Sequence, residues 1–208
     1  MSSLNSRRTN QAGFTLVELV AVCAILMIIV AAAFPLVART MDNIKLRYSA
    51  SDLSGILQRC RIQAVRRNSP FAVATTVMPD GSTAFFVDLN QNVNPAYAAG
   101  DPLADLPTHS TPHLGTGSGA PNEGALTAAL GFPVNASTTA LPAFNARGLP
   151  CTYAGGAATC PVTNTGYIYF INDTGISGNA NWAAIAISPS GRVQTWIYQP
   201  GNNIWVKQ

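Results

Sequence analysis

The sequence predicts an α+β fold in which one long N-terminal helix packs on an antiparallel β-sheet head. Three patterns predict it. An apolar run covers residues 14–38, apolar side chains then recur at helical spacing up to about Arg67, and short strand-like segments bounded by turn residues follow from Phe71 onward. The 208 residues suffice for one ordinary domain together with a membrane helix.

The run 14–38 is long enough to cross a lipid bilayer. As an α-helix its 25 residues would span about 37 Å, against a hydrocarbon core of about 30 Å. Arg7 and Arg8 precede the run, so the positive-inside rule places the N-terminus in the cytoplasm and the rest of the chain outside. An ordinary secretory signal, cleaved after the run near Ala33, is the alternative interpretation.

Glu18 is the one charged residue inside this run. A carboxylate in a membrane helix costs about 2.5–3.5 kcal/mol on insertion scales, and such a residue usually has a partner and a function. No Lys or Arg occurs between Phe14 and Ala38. Cleavage after Gly13 would create an amine at Phe14, which could pair with Glu18, above all when the two lie on neighbouring helices shifted along their axes.

Residues 13–18, Gly-Phe-Thr-Leu-Val-Glu, resemble the cleavage and N-methylation motif of type IV prepilins. The resemblance implies that a prepilin peptidase of the inner membrane cuts between Gly13 and Phe14 and methylates the new amine. It implies that Glu18 pairs with that amine on an adjacent subunit during assembly. Pro35 matches a helix-kinking proline common in these proteins. The implied partners are the prepilin peptidase and other pilins or pseudopilins.

Four segments follow from these patterns: a cleaved leader (1–13), a transmembrane and filament-core helix (14–38), an amphipathic helix half (39–67) and a β-rich extracytoplasmic head (68–208). The amphipathic half carries apolar residues expected to face the head, namely Ile44, Tyr48, Leu53, Ile56, Leu57, Cys60, Ala64 and Val65. Strands are expected at 71–77, 83–89, 141–145, 166–171, 182–188, 192–198 and 204–207, and residues 90–165 are expected to be mostly turns.

Three short segments of the soluble part, 57–64, 144–148 and 185–193, resemble the GspH/FimT group of minor pilins and pseudopilins. The resemblance implies a structural, non-enzymatic subunit at or near the tip of a type IV pilus or a type II secretion pseudopilus. The alternative is a pilus-borne DNA receptor for natural transformation. In FimT-like proteins a Gly-Arg-x-Arg motif is associated with DNA binding, and residues 191–194 read Gly-Arg-Val-Gln here, with the second arginine missing.

The candidate DNA contacts are Arg192, Trp196 and Lys207. Strand periodicity places Arg192 and Trp196 on one face, where an arginine and an aromatic ring can stack on bases or pack on protein. Net charge gives this alternative no support. The formal charge is +3, and removal of the leader with its two arginines leaves ten Lys and Arg against nine Asp and Glu.

Cys151 and Cys160 bracket a Gly-Gly turn and are expected to form a local disulfide in an oxidising compartment. This expectation agrees with the topology set by Arg7 and Arg8. In the loop-entropy model the bond stabilises the fold by about 2.5–3 kcal/mol at most.

No cofactor, metal or enzymatic activity is expected. His109 and His113 have no third ligand nearby, so they are interpreted as loop histidines. Residues 88–94 alternate oxygen-bearing side chains, but a calcium loop would need more carboxylates, so a solvated turn at Asp88 is the preferred interpretation. Four arginines near the helix end are interpreted as a solvated face, namely Arg59, Arg61, Arg66 and Arg67.

Overall fold

The computed structural model describes residues 15–91, 94–106, 110–137, 141–153, 160–174 and 181–208. The chain divides into two compact units, Met1–Ala38 and Arg39–Gln208. The predicted α+β class is confirmed, because a long N-terminal helix is followed by antiparallel strands.

In the first unit, the described chain is the beginning of helix α1, Leu16–Arg67. The helix continues through Pro35. Its apolar side chains here are exposed, for example Leu26 at 55% and Ile28 at 70%. This part of α1 is long and apolar enough to cross a membrane. It has no hydrophobic core of its own among the described residues, so its stability depends on what surrounds it.

The second unit contains the rest of α1 and all the other elements. They are β1 (Phe71–Val77), β2 (Thr83–Val87), β3 (Leu103–Asp105), β4 (Ser110–Leu114), α2 (Glu123–Leu130), β5 (Pro142–Phe144), β6 (Pro150–Thr152), β7 (Tyr167–Asp173), β8 (Asn181–Ile187), β9 (Val193–Gln199) and β10 (Ile204–Lys207). The first sheet has the order β3-β2-β1-β5-β6 and the second has the order β10-β9-β8-β7-β4. Neighbouring strands in both described sheets pair antiparallel.

The main core lies between α1 and the two sheets. From the helix it takes buried residues three and four positions apart, namely Leu46, Ala50, Leu53, Ile56, Leu57, Cys60 and Ala64. Two residues expected on this face are instead exposed: Tyr48 at 67% and Val65 at 52%. Ile44 is exposed as well, at 43%. The prediction was wrong there, because spacing alone does not separate a face buried by the head from an apolar face left outside.

Strand alternation divides the second sheet between two cores. Tyr169, Ile185 and Ile197 belong to the core that contains α1. Their neighbours Phe170 and Ala184 belong to a second core with Leu126 and Leu130 of α2. The sheet is therefore buried on both faces, which explains the nearly continuous apolar sequence of β7 and β8.

The region 90–165 is more regular than the sequence indicated. Its described part contains β3, β4, β5, β6 and α2. Helix α2 has no side-chain cap, since its N-cap residue Asn122 instead donates from its side-chain amide to the carbonyl of Asn203 at 2.7 Å. The missed strands are three to five residues long, and β4 carries Pro112, which an edge strand tolerates.

Candidate functional site

The first turn of α1 is organised by Thr15 and Glu18. The Glu18 backbone N–H donates to Thr15 Oγ1 at 3.3 Å, and the Leu19 N–H donates to the Thr15 carbonyl at 3.2 Å. Thr15 is thus the N-cap, and Thr-x-x-Glu is the sequence of a capping box. Glu18 also places a negative charge at the positive end of the helix dipole. The residue therefore has a local role in starting the helix, which the sequence reasoning missed. Gly13 and Phe14 lie outside the described residues.

An exposed apolar stripe continues on α1 beyond the first unit. Met41, Ile44 and Tyr48 are spaced three and four residues apart, and they are 54%, 43% and 67% exposed. They therefore share one side of the helix. Leu46 and Leu53 do not belong to this stripe, because they are buried in the core of the head. Helix α1 accordingly presents apolar surface that its own head does not cover.

The disulfide joins Cys151 of β6 to Cys160, with their Cα atoms 5.2 Å apart. Cys151 is fully buried in a small third core with Ala72 and Ala143. The hydroxyl of Tyr167 donates to the carbonyl of Cys151 at 3.0 Å. This bond links the disulfide-bearing strand of the first sheet to β7 of the second, so the cross-link lies where the two sheets meet.

Arg61 is the best-organised of the helix-end arginines. Its guanidinium donates from Nη1 to the carbonyl of Gly191 at 3.0 Å, in the turn between β8 and β9. Gly148 and Gly191 both have positive φ, of 73° and 80°. A Cβ at Gly148 would lie 3.0 Å from Arg61 Nε, and one at Gly191 would lie 3.3 Å from its Cζ. Arg61 is therefore half-buried against two glycine turns and is not part of a solvated face, which corrects the expectation for this residue.

This contact brings together three distant stretches of sequence. Arg61 comes from 57–64, Gly148 from 144–148 and Gly191 from 185–193. These are the segments that carried the GspH/FimT resemblance. The two glycine turns were visible in the sequence, but their convergence on one arginine was not, because it depends on the packing of α1 against the head. Arg59, Arg66 and Arg67 are exposed, and Arg67 lies over the Phe71 ring at 5.6 Å.

Two of the candidate DNA contacts, Trp196 and Lys207, lie side by side, whereas Arg192 lines a cleft that neither of them lines. Lys207 Nζ lies 6.0 Å from the centre of the Trp196 ring, and the two residues are cross-strand partners on β10 and β9. Trp196 is half-buried against the core that contains α2, and its indole nitrogen is buried. Arg192 is exposed and lines a cleft with Arg61. The ring that would stack on bases therefore lies beside Lys207, whereas Arg192 belongs to the cleft with Arg61.

The other polar candidates are integrated in the fold. Asp88 is 1% exposed, and its carboxylate accepts the Asn90 backbone N–H at 3.0 Å, so the expected solvated turn is instead a buried Asx turn. His113 lies in strand β4 and not in the loop that was expected, and its ring centre lies 6.3 Å from that of Trp182. His109 falls outside the described residues. Across the described ranges, no group of three His, Cys, Asp or Glu side chains could hold a metal ion.

Burial decides the chemistry of the remaining thiol in the head. Cys60 is fully buried, and its sulfur lies 3.3 Å from the carbonyl oxygen of Phe71. Desolvation raises the pKa of the Cys60 thiol far above its ordinary value of 9.0. The thiol therefore stays protonated and behaves as a small apolar core residue.

Residues 8–34 match the family model of the prokaryotic N-terminal methylation motif. The match contains the whole segment 13–18, including Glu18, and most of the exposed apolar helix. No curated protein and no solved structure matches the chain significantly. Because the match covers residues 13–18 together with a helix whose apolar side chains are exposed, it indicates a type IV pilin-like protein.

Proposed function

We propose that this chain is a minor pilin or pseudopilin, a structural subunit assembled at or near the tip of a type IV pilus or a type II secretion pseudopilus. The observation that carries the proposal is the exposed apolar helix, which begins at Leu16 inside the matched methylation motif. Before assembly the inner membrane covers this helix as a single span, with the N-terminus in the cytoplasm and the head in the periplasm. In the filament, the corresponding helices of other subunits replace the lipid.

The stripe of Met41, Ile44 and Tyr48 supports packing between helices beyond the membrane span. These side chains lie outside the core of the head, so contact with a neighbouring subunit would remove their apolar surface from water. Pro35 lies within the same helix. We assign the packing surface in the filament to residues 16–48 of α1.

Processing is the first step that this function requires. The prepilin peptidase would cut between Gly13 and Phe14 and methylate the Phe14 amine. Intact mass analysis of the mature protein should show a chain that begins at Phe14 and carries one added methyl group. A bulky charged residue at Gly13 should block cleavage, whereas Gly13→Ala should be tolerated or slow it. A mature chain that begins near Ala33 would contradict the proposal.

Glu18 would then pair with the methylated amine of an adjacent subunit, in addition to its place in the first turn of α1. Two variants separate these roles. Glu18→Gln keeps the size of the side chain but removes its charge, whereas Thr15→Val removes the hydroxyl that caps the helix. We expect Glu18→Gln to lower incorporation into filaments much more than Thr15→Val does, measured on sheared filaments. Equal losses would assign Glu18 to helix capping alone.

The alternative, a DNA receptor, has its best support in the exposed Arg192 beside Arg61 and Arg66. Against it stand the half-buried Trp196 and the nearly balanced charge of the mature chain. Contact with several phosphates would make binding steeply salt-dependent. Tight, salt-sensitive DNA binding by the mature chain that is lost in Arg192→Ala would favour the receptor. Negligible binding, with piliation or secretion lost in a deletion strain, would favour the assembly subunit.

A further inference from the structure

A cleft of about 710 Å³ lies between the last turns of α1 and the turn that joins β8 to β9. Its lining combines cations with aliphatic side chains, namely Arg61, Arg66, Arg192, Ile62, Val65 and Val193. Among the described residues that line it there is no Asp or Glu. The cleft therefore presents positive charge and aliphatic surface together.

Arg61 is held in place before any ligand arrives. One of its N–H groups donates to Gly191, and the glycines at positions 148 and 191 leave the space that the guanidinium fills. A guanidinium has five N–H donors in a planar fork, so several remain for a ligand. Because the side chain is already ordered, binding a carboxylate to it costs less conformational entropy than binding to a free surface arginine.

The aliphatic side chains of the lining decide which kind of anion the cleft can bind. Ile62 is 62% exposed and Val65 is 52% exposed, although both lie next to arginines. Phosphate groups alone would leave these aliphatic side chains in contact with water. A peptide that carries both carboxylates and apolar side chains would pair with Arg66 and Arg192 and bury Ile62 and Val65 at the same time.

We propose that this arginine cleft, defined by Arg61, Ile62, Val65, Arg66, Arg192 and Val193, docks an acidic peptide segment with interspersed apolar side chains from a neighbouring subunit. The proposal rests on the assembly function, since it names the chemistry of one contact that the head makes there. It uses a surface different from the packing surface of residues 16–48. The two can therefore fail separately.

The probe is a fluorescent decapeptide of alternating Glu and Leu, titrated with the mature full chain in zwitterionic lipid nanodiscs and followed by anisotropy. Empty nanodiscs are the blank. The double variant Arg66→Glu, Arg192→Glu should weaken binding more than tenfold, since loss of one charged hydrogen bond weakens binding by about tenfold or more. Arg59→Glu is the matched control, because Arg59 is exposed on the same helix but does not line the cleft.

The contribution of the aliphatic lining is tested with Ile62→Ser. This variant should weaken binding of the Glu-Leu peptide severalfold and leave binding of a Glu-Ser peptide unchanged. Val77→Ser is its control, since Val77 is 73% exposed and lies outside the cleft. Binding of duplex DNA that is tighter than peptide binding and indifferent to Ile62→Ser would overturn the proposal. Equal binding by a Lys-Leu peptide would also overturn it. Correct processing at Phe14 and normal incorporation into filaments, with no peptide binding, would refute the docking cleft alone.

Discussion

The first half of helix α1 is almost wholly apolar and the second half is amphipathic, and the two halves have opposite surroundings. In the first half, apolar residues all around the helix are exposed, for example Leu26 and Ile28. In the second half, Leu53, Leu57 and Cys60 are completely buried by the head, while polar residues fill most of the remaining surface. The two halves of α1 thus require different surroundings. The second half buries its apolar face against the head of the same chain. The apolar surface of the first half can be removed from water only by lipid or by other helices.

The largest expected effect separates these two surroundings. Leu57→Ala should lower the free energy of unfolding of the head by about 2–5 kcal/mol, because it leaves a cavity in the main core. Ile28→Ala, the matched change in the exposed half, should leave that free energy unchanged. Urea unfolding of the mature chain in detergent, followed by the fluorescence of the three tryptophans of the head, measures both. Equal losses would mean that the two halves do not differ in this way.

The disulfide tests how far the head stabilises itself by covalent means. Replacing Cys151 and Cys160 together with serine should lower the free energy of unfolding by about 2.5–3 kcal/mol at most, since the closed loop is short. Cys23→Ser should have no effect on the head, because Cys23 lies exposed in the first half of α1. The same urea titration, under non-reducing conditions, compares the variants. An unchanged midpoint in the double variant would show that the bond does not constrain the unfolded chain.

Burial of Cys60 makes the stability of the head depend on pH in the alkaline range. The folded pKa of Cys60 is raised, so its contribution to stability is complete below the unfolded pKa of 9.0 and is lost as the pH rises above it. Burial likewise raises the pKa of Tyr169 above its ordinary 10.0. We expect the free energy of unfolding to fall above pH 9, and to fall less steeply in Cys60→Ala. In the folded protein at pH 8, Cys60 should resist alkylation, and rapid labelling would contradict its burial.

The smallest effect concerns Gly55 in the head half of α1. A Cβ added there would meet no atom within 4 Å. Gly55→Ala should therefore raise the free energy of unfolding by about 0.5–1 kcal/mol, because alanine loses less backbone entropy in a helix. The measurement is the urea midpoint against wild type. A lower midpoint would show that the absence of a side chain at Gly55 is needed for the fold.

The sequence determined most of what depends on neighbouring residues. The methylation motif, the apolar run and the end of α1 at Arg67 follow from local composition and from Pro70, which disfavours helix before it. The hairpin of β1 and β2 follows from alternation around the turn at Asp80, and its antiparallel register pairs Val77 with Thr83. The strands β7 to β10 were also predicted within one or two residues of their observed bounds.

The tertiary structure decided the rest, since it depends on contacts between distant segments. Helix α2 has only two buried leucines and no capping side chain, so its position against the second sheet comes from that sheet's outer apolar face. Leu46 is buried and Tyr48 is exposed because of where the head packs on α1. Helical spacing alone would allow either residue in the core. The place of Arg61 between Gly148 and Gly191 required two turns from separate strands to meet one helix. No pattern within a few residues of Arg61 contains that information.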